Sequence, residues 1–101
     1  MKERIIKFTR GKNKKKYTAY VKNKKTHKIR KLHFGHKDYQ QYRDSTPLKL
    51  YKHKNHGDIK RMRNYFSRHS GTKKRGEAIK KEKRENKGYY TPKILSHIYL
   101  W

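Results

Sequence analysis

Two pairs of histidines with the same spacing are the residues in this sequence best suited to metal chemistry. His33 and His36 form the first pair, and His53 and His56 form the second. Four imidazoles could hold a divalent metal, but structural zinc sites usually include cysteine, and the chain has none. Neither pair lies in a helical context. Because histidine also serves as a simple hydrogen-bond donor and phosphate contact, the sequence predicts no metal site.

Three aspartates, Asp38, Asp44 and Asp58, are the candidates for carboxylate chemistry of the kind found in a metal-dependent nuclease. Such nucleases need clustered carboxylates in a shaped cleft. Here Asp44 precedes Ser-Thr-Pro, where an Asx turn is expected, and Asp58 is placed to cap a helix. The sequence has no recognised glycine-rich phosphate loop and no nucleophile motif. It therefore predicts a protein that is not an enzyme and uses no cofactor or small-molecule substrate, with a nuclease kept as a third hypothesis.

The charge of the chain indicates its kind of partner. The 101 residues include 32 lysines and arginines against seven acids, which gives a formal net charge of +25. Nucleic acid, anionic membrane and acidic protein surfaces are the candidates, but no apolar run approaches the ~20 residues that span a bilayer. Lysines number 23 and favour neutralisation of a phosphate backbone over base readout, although an AT-rich genome would also favour lysine. The predicted contacts to DNA, RNA or another polyanion, with weak sequence preference, are Lys14, Lys15, Lys16, Lys24, Lys25, Arg30, Lys60, Arg61, Arg63, Arg68, Lys73, Lys74, Arg75, Lys80 and Lys81.

Three short segments near the N-terminus, RIIKFT, KYTAYV and IRKLHF, alternate between two faces and predict β-strands. The polar connectors between them are short, which favours antiparallel neighbours. Residues 1–35 are therefore predicted to form a three-stranded meander that Gly35 ends, with Ile5 on the face opposite the core. The side chains predicted to share core faces are Ile6, Phe8, Tyr17, Ala19, Val21, Leu32 and Phe34.

The loop region that follows, residues 36–57, begins with an aromatic stretch that is almost free of lysine. Lysines buried close together would be costly, so we expect this region to make the tertiary contacts that let a basic chain close on itself. Asp38 and Asp44 are expected to neutralise arginines that arrive from elsewhere. Arg63 and Arg68 are the candidates. The side chains that could cover one face of a small sheet here are Tyr39, Tyr42, Leu48, Leu50 and Tyr51.

Residues 58–70 have the clearest helical pattern in the sequence. Asp58 suits the N-cap and the positive end of the helix dipole, and Gly71 is placed to end the helix. Apolar residues recur at spacings of three and four and predict one buried stripe. Its members are Ile59, Met62, Tyr65, Phe66 and His69.

A second helix is predicted over residues 72–88, where the charge is spread over nearly every face. Only Ala78 and Ile79 could anchor it, so it is expected to be solvated or to lie against a partner. Its acids can pair with lysines three or four residues away. These acids are Glu77, Glu82 and Glu85.

The last segment, residues 89–101, concentrates apolar side chains in an otherwise charged chain. Thr91 followed by Pro92 is a helix-start signal. An apolar patch of this size needs cover, which either the meander or a neighbouring subunit could give. We favour packing within the chain, because few other apolar residues could close its core. The apolar residues of this anchor are Ile94, Leu95, Ile98, Leu100 and Trp101.

The motifs KKYTAYV, KLHFG, DYQQYRD and RMRNYFSRHS occur in this order and are followed by a final YLW. In this order they resemble a family of small basic proteins encoded by nucleocytoplasmic large DNA viruses. The resemblance covers roughly residues 15–70 and, more loosely, the last residues. It departs from the family after Arg-His-Ser, where relatives have a tryptophan- and proline-containing segment and this chain has the lysine-rich helix. The matching positions are Tyr17, Ala19, His33, Phe34, Gly35, Asp38, Tyr39, Asp44, Tyr65, Arg68, His69, Ser70, Leu100 and Trp101.

Together these patterns predict an α+β fold with a three-stranded antiparallel meander, then two or three short helices, and basic extensions. The resemblance implies a viral origin, so the first functional hypothesis is a non-enzymatic structural protein of a large DNA virus particle. As a minor capsid or internal virion protein it would contact nucleic acid and other virion proteins, in the virion and in the host cytoplasm or nucleus during assembly. The alternative is a free nucleic-acid-binding protein of ribosomal or chromatin type. The residues predicted to be structural are Tyr17, Phe34, Gly35, Asp38, Asp44, Asp58, Phe66 and Trp101.

Overall fold

The computed structural model describes residues 1–101 and has an α+β fold. A three-stranded antiparallel sheet with the strands in chain order comes first, and three α-helices follow it. The basic extensions expected from the sequence are the two turns of the sheet and the second helix, not free tails. No helix is both long enough and apolar enough to cross a membrane. The elements are β1 (Glu3–Arg10), β2 (Lys15–Asn23), β3 (Ile29–His36), a 3-10 turn (Lys52–Lys54), α1 (Ile59–Ser70), α2 (Arg75–Glu85) and α3 (Pro92–Tyr99).

A bulge in β1 changes which of its side chains face the core. Ile5 and Lys7 pair with consecutive residues of β2, so Ile6 is an extra residue between them. One extra residue shifts the two-residue alternation of the strand by one position. Ile5 and Phe8 therefore both pack on the core, while Ile6 is exposed. The expectation that Ile6 and Phe8 share the core face is wrong, because it assumed a regular strand.

The sheet covers an aromatic and aliphatic cluster that we call the sheet core. Phe34 on β3 lies 5.8 Å from Tyr17 on β2 between ring centroids, and Tyr17 lies edge-on to Tyr51 at 5.5 Å. The loop after β3 and the C-terminal segment complete the cluster. Its buried members are Tyr17, Ala19, Phe34, Tyr51, Leu95 and Leu100.

Gly35 allows the C-terminus to close on β3. Its φ of +77° is a left-handed conformation that favours glycine. A Cβ at this position would also lie 2.9 Å from Leu100 Cδ1 and 3.1 Å from Lys16 Cβ. Gly35 therefore provides both the backbone turn and the close approach.

The α1 helix and its neighbours form a second, smaller cluster that we call the helix core, with Tyr65, Phe66 and Ala78 buried. The Asp58 side chain accepts from the amides of Lys60 and Arg61 and so caps α1. Gly71 ends the helix in the left-handed conformation.

The buried apolar stripe on α1 is shorter at both ends than the sequence predicts. Ile59 lies in the first turn, before the helix reaches the core, and is exposed. His69 is also exposed, with its ring tilted against the ring of Tyr65 at a centroid distance of 4.5 Å. The buried part of the stripe is Met62, Tyr65 and Phe66, of which Met62 is half-buried.

The α2 helix spans Arg75–Glu85 and is shorter than the predicted 72–88, with Asn86 at its C-cap. It packs between α1 and α3, so it is not solvated on every side. Ala78 is fully buried and Ile79 is half-buried, as expected for its anchors, but Glu82 is buried too. The carboxylate that the sequence places on a solvated face is therefore part of the interior.

The C-terminal segment packs within the chain. Thr91 caps α3 by accepting from the amide of Ile94 at 3.1 Å, and Pro92 occupies the first turn. Ile94, Leu95 and Leu100 are buried. This segment touches both clusters and thereby joins the sheet to the helices.

Candidate nucleic-acid interface

Acidic side chains are buried in a much larger proportion than basic ones in this protein. Of the 32 lysines and arginines, only Lys16 is buried. Three of the seven acids, Glu3, Asp44 and Glu82, are each no more than 4% exposed. Because these three acids are buried, the ratio of positive to negative side chains at the surface is higher than in the composition.

Glu3 is neutralised by Arg30, which the sequence analysis predicts as a polyanion contact. The guanidinium donates two hydrogen bonds of 2.9 Å to the two carboxylate oxygens, and a third of 3.0 Å to the Tyr90 carbonyl. Burial alone would raise the pKa of Glu3, but hydrogen bonds from Arg30 and from the Tyr90 amide outweigh it and lower that pKa. Arg30 therefore ties β1 and β3 to the chain before α3, while its predicted contact with a polyanion stays a prediction.

Asp44 binds hydroxyl and amide groups and no arginine. Its carboxylate accepts from the Tyr17 hydroxyl, from the Thr46 hydroxyl at 2.6 Å and from the Tyr51 amide at 3.1 Å. Burial and the bond to Asp44 raise the pKa of Tyr17 to about 12, so this phenol stays a donor. Asp44 thus organises the loop under the sheet, and its expected pairing with arginine is wrong because local donors already fill its lone pairs.

Asp38 has no structural role of the kind predicted. Its side chain is exposed and makes no hydrogen bond, and Nδ1 of His36, 3.9 Å from the carboxylate, accepts a hydrogen bond from the Asp38 amide. Asp38 sits on the turn after β3, where no arginine reaches it. It is therefore neither buried nor paired with the arginines of α1.

Lys16 is an interior lysine and does not belong to the surface that the sequence predicts. The residue is 1% exposed, and its ammonium donates to the Tyr39 carbonyl at 2.7 Å and to Gln41 Oε1. Burial, together with the nearby Lys54, lowers the pKa of Lys16 to about 8, although Asp44 acts in the opposite direction. Lys16 holds the loop after β3 against the sheet and is almost fully removed from the outer surface.

A chain of hydrogen bonds that the sequence analysis missed connects the three helices. Ser70 Oγ donates to Glu82 at 3.0 Å and lies 2.8 Å from His97 Nε2. The Tyr65 hydroxyl lies 2.9 Å from the other ring nitrogen of His97. Because Ser70 gives its proton to Glu82, the consistent assignment has His97 Nε2–H donating to Ser70 and Tyr65 donating to His97 Nδ1.

This hydrogen-bond network resembles the serine–histidine pair of a nucleophile and its base. Its protons, however, are arranged in the opposite way. A base must accept the serine proton, whereas here the histidine nitrogen facing Ser70 carries its own proton. Burial lowers the pKa of His97 to about 4, so the ring is neutral near pH 7. Lys93 lies 3.2 Å from Glu82 and balances its charge. The only sequence signal for this network was a lone histidine in the apolar C-terminal segment.

The remaining predicted contacts lie on several faces of the protein. Lys14 and Lys15 lie at the start of β2 and Lys24 and Lys25 just beyond its end, so the two lysine pairs occupy opposite ends of the sheet. The others lie on α1, on α2 and in the turn between these helices. The predicted contacts that have no side-chain partner within the chain are Lys14, Lys15, Lys24, Lys25, Lys60, Arg63, Arg68, Lys73 and Lys80.

The other predicted contacts on the helices are partly occupied by contacts within the chain. Arg61 donates to Gln40 at 2.8 Å, and Arg75 donates to the Ile98 carbonyl at 2.7 Å. Lys81 donates to the Ser70 carbonyl at 2.9 Å. Lys74 lies 3.7 Å from Glu77, and because both side chains are exposed this pair adds little stability.

One cleft of about 570 Å³ combines basic and aromatic side chains. It lies between the sheet, the loop after β3, α1, α3 and the C-terminus. Lys15, Arg68 and Lys93 line it, and no aspartate or glutamate does. Tyr39 also lines it, stacked on His36 with ring centroids 4.4 Å apart, and Tyr65 and Trp101 stack at the same distance.

The pKa of His69 is lowered in this cleft. Burial lowers its pKa, and the positive charges of Arg68 and Lys93 lower it further. A phosphate bound beside these cations would oppose that effect and raise the pKa of His69. Because Lys15, Arg68 and Lys93 line the cleft and no carboxylate does, an anion is favoured there.

The four histidines of the two sequence pairs have separate surroundings. No group of three or more histidine, cysteine, aspartate or glutamate side chains comes together in a way that could hold a metal ion. His33 lies 2.6 Å from the Thr18 hydroxyl, and His56 packs 5.3 Å from Trp101.

Comparison with family models, with curated proteins and with solved structures gave no match for this chain.

Proposed function

We propose that this protein is a non-enzymatic structural protein of a large DNA virus particle that binds nucleic acid through the phosphate backbone. One observation carries the nucleic-acid part of this proposal: three of the seven acids are buried, whereas all but one of the 32 lysines and arginines lie outside the core. A net charge of +25 favours a polyanion as partner. Of the three buried carboxylates, Asp44 engages no cation, and Glu3 and Glu82 engage one each, so most surface cations remain free to bind phosphate.

The placement of the cations supports backbone binding over base readout. Free lysines lie at both ends of the sheet and on two helices, which fits many dispersed phosphate contacts better than one element inserted in a groove. Each neutralised phosphate releases condensed counterions, so affinity would come largely from this term.

The particle setting is supported by the sequence resemblance to proteins of nucleocytoplasmic large DNA viruses. The free binding protein of ribosomal or chromatin type is the second candidate, and the same exposed charge favours it equally. Mass spectrometry of purified virions separates the two. Presence at a fixed ratio to the capsid proteins supports the particle role, and presence only in ribosome or chromatin fractions of infected cells supports the other.

Nucleic-acid binding is tested by titrating labelled duplex DNA at several salt concentrations. The logarithm of affinity should fall with the logarithm of salt concentration, with a slope of about 0.9 per phosphate contacted. Exchanging Lys14, Lys15, Lys24 and Lys25 together for glutamine should lower that slope. The matched control is Lys74→Gln, which removes a cation already close to Glu77.

Two results would contradict the proposal. The first is affinity that stays constant as salt rises, and the second is a preference of several orders of magnitude for one sequence. A third measurement, binding to poly-glutamate, separates nucleic acid from acidic protein surfaces as the partner. Tighter binding to poly-glutamate than to DNA at equal charge and salt would favour an acidic protein.

A further inference from the structure

We propose that the cleft between the sheet, α1 and α3 takes one unpaired base of a single-stranded nucleic acid, stacked on Tyr39 and with its phosphate beside Lys15 and Arg68. This proposal rests on the proposed nucleic-acid binding and adds to it a preference that backbone contacts alone would not give.

The cleft has the size and lining that a nucleotide requires. Its volume of about 570 Å³ lies within the usual range for small-molecule sites, roughly 300–1,000 Å³. Tyr39 is 67% exposed, so most of this aromatic residue is not used by the fold. The ring packs on His36 at an interplanar angle of 24° and retains surface for another flat ring. Stacking on such a platform is the usual way in which proteins hold unpaired bases.

The charges of the cleft favour the phosphate that accompanies the base. Arg68 lines the cleft and has no ion-pair partner, so its guanidinium is free to bind a phosphate through two hydrogen bonds. Lys15 lies on the sheet side and is also free. Lys93 is less available, because it already lies 3.2 Å from Glu82.

The cleft is held in shape before any ligand arrives. The Lys16 ammonium donates to the Tyr39 carbonyl at 2.7 Å and fixes the backbone that carries the stacking ring. On the other side, Trp101 stacks on Tyr65 with an interplanar angle of 5°. Preorganised rings lose little conformational freedom on binding, which favours affinity.

A base inside a duplex cannot reach this cleft, because it is stacked and paired. Duplex DNA would still bind the lysines and arginines of the outer surface. The cleft should therefore add affinity for single strands only, and this difference separates the present inference from the general proposal.

Tyr89 offers a matched control for Tyr39. It is an exposed tyrosine, at 38%, with the Lys2 ammonium 5.3 Å from its ring centroid. It therefore also combines a ring with a cation, but it lies outside the cleft. If an exposed tyrosine contributed only nonspecific surface contact, replacing it would change the affinity equally at both positions.

The experiment measures the affinity of Tyr39→Ala, Tyr39→Phe and Tyr89→Ala for two probes at one salt concentration. The probes are an oligo-dT of about ten nucleotides and a duplex of similar charge. We expect Tyr39→Ala to weaken oligo-dT binding roughly 5- to 150-fold and to leave duplex binding within about twofold. Tyr39→Phe should keep wild-type affinity for both probes, and so should Tyr89→Ala.

Trp101 gives a second readout at the site itself. It is the single tryptophan of the chain and lines the cleft, so its fluorescence should change on adding oligo-dT and not on adding duplex. Arg68→Gln should weaken oligo-dT binding more than Arg63→Gln, which removes the same charge from α1 outside the cleft.

The outcomes distinguish the two proposals. If the wild-type protein binds both probes and Tyr39→Ala leaves oligo-dT binding unchanged, or weakens both probes equally, the cleft inference is overturned while nucleic-acid binding stands. If the wild-type protein binds neither probe, the proposed function fails, and the inference with it. Matching thermal melts of wild type and Tyr39→Ala exclude unfolding as the cause, since the Tyr39 side chain is largely exposed.

Discussion

The sheet core and the helix core of this protein differ in the kind of side chain that fills them. The sheet core is built of aromatic and aliphatic side chains. The helix core buries only Tyr65, Phe66 and Ala78, and its centre is completed by the chain of hydrogen bonds through His97 and Ser70 to a glutamate. With only 30% apolar residues, the sequence supplies one largely apolar core, and the second depends on satisfied polar groups.

Each core also contains one buried carboxylate, and the two are neutralised differently. Asp44 under the sheet accepts hydrogen bonds from hydroxyls and backbone amides. Glu82 under the helices accepts from one hydroxyl and lies beside Lys93. The α3 segment joins both regions, since Leu95 and Leu100 enter the sheet core, His97 faces the helix core, and Trp101 packs against both. Four predictions test whether the two regions unfold together in one cooperative transition.

Deletion of residues 94–101 should have the largest effect, because it removes the segment that both cores share. We expect the truncated protein to lose its cooperative thermal melt, measured by circular dichroism. Removal of Trp101 alone is the control and should leave a cooperative melt, since this residue is only half-buried. A truncated protein that melts as the wild type does would mean that the cores close without α3.

Phe34→Ala and Phe66→Ala compare the two cores directly. Each removes a buried ring, and each should lower the free energy of unfolding by about 3–5 kcal/mol. Urea denaturation followed by circular dichroism measures the loss. Leu48→Ala is the control, since this leucine is exposed and its loss should cost less than about 0.5 kcal/mol. Two separate transitions in either variant would show that the cores unfold independently.

Acid should weaken the helix core through His97. Burial lowers its folded pKa to about 4, against an ordinary value of 6.5, with Lys93, His69 and Arg75 acting in the same direction and Glu82 opposing them. A base with a lowered folded pKa stabilises the fold fully above the unfolded pKa, and this stability is lost as the pH falls from 6.5 toward 4. The loss amounts to about 3 kcal/mol.

The measurement is urea denaturation at pH 7 and at pH 4 for wild type and His97→Gln. The variant should be less stable at pH 7, but its further loss on acidification should be about 3 kcal/mol smaller than that of the wild type. His27→Gln, at an exposed turn position, is the control and should keep the wild-type slope. Parallel pH profiles for wild type and His97→Gln would show that acid does not act through this network.

Asp58→Ala should have the smallest effect and touch only the helix region. The Asp58 carboxylate accepts from two amides at the start of α1, at 2.9 and 3.2 Å. Loss of an N-cap costs about 1 kcal/mol. Asp38→Ala removes the same charge from an exposed turn where the carboxylate makes no hydrogen bond, and it should change the free energy of unfolding by less than about 0.5 kcal/mol. Equal losses in the two variants would mean that the net charge matters and the cap does not.

The residues of the candidate cleft could not be grouped from the sequence. His36 and Tyr39 are close in the chain, but Arg68 and Trp101 lie far along it, and only the docking of α1 and α3 on the sheet brings them together. The sequence did identify Arg68 as a polyanion contact, but it placed Tyr39 among side chains covering a small sheet. It also placed Lys16 among the polyanion contacts, because nothing local distinguishes it from Lys14 and Lys15.

What the sequence determined by itself is the set of local elements. Alternation in three short segments predicts the three-stranded sheet that the structure has, and α1 and α3 begin at residues whose side chains cap them, Asp58 and Thr91. These features depend on neighbours a few residues away, so they can be read along the chain.

Only the tertiary structure decided which charged side chains are buried and which are exposed. The burial of Lys16 depends on Gln41 and on the Tyr39 carbonyl, and the burial of Glu82 depends on Ser70 and Lys93. A charged side chain can leave water only where distant partners replace its hydrogen bonds, and such partners are not visible in the pattern around it. The bulge in β1 has the same origin, because its position is set by pairing with β2 and not by the residues of β1 alone.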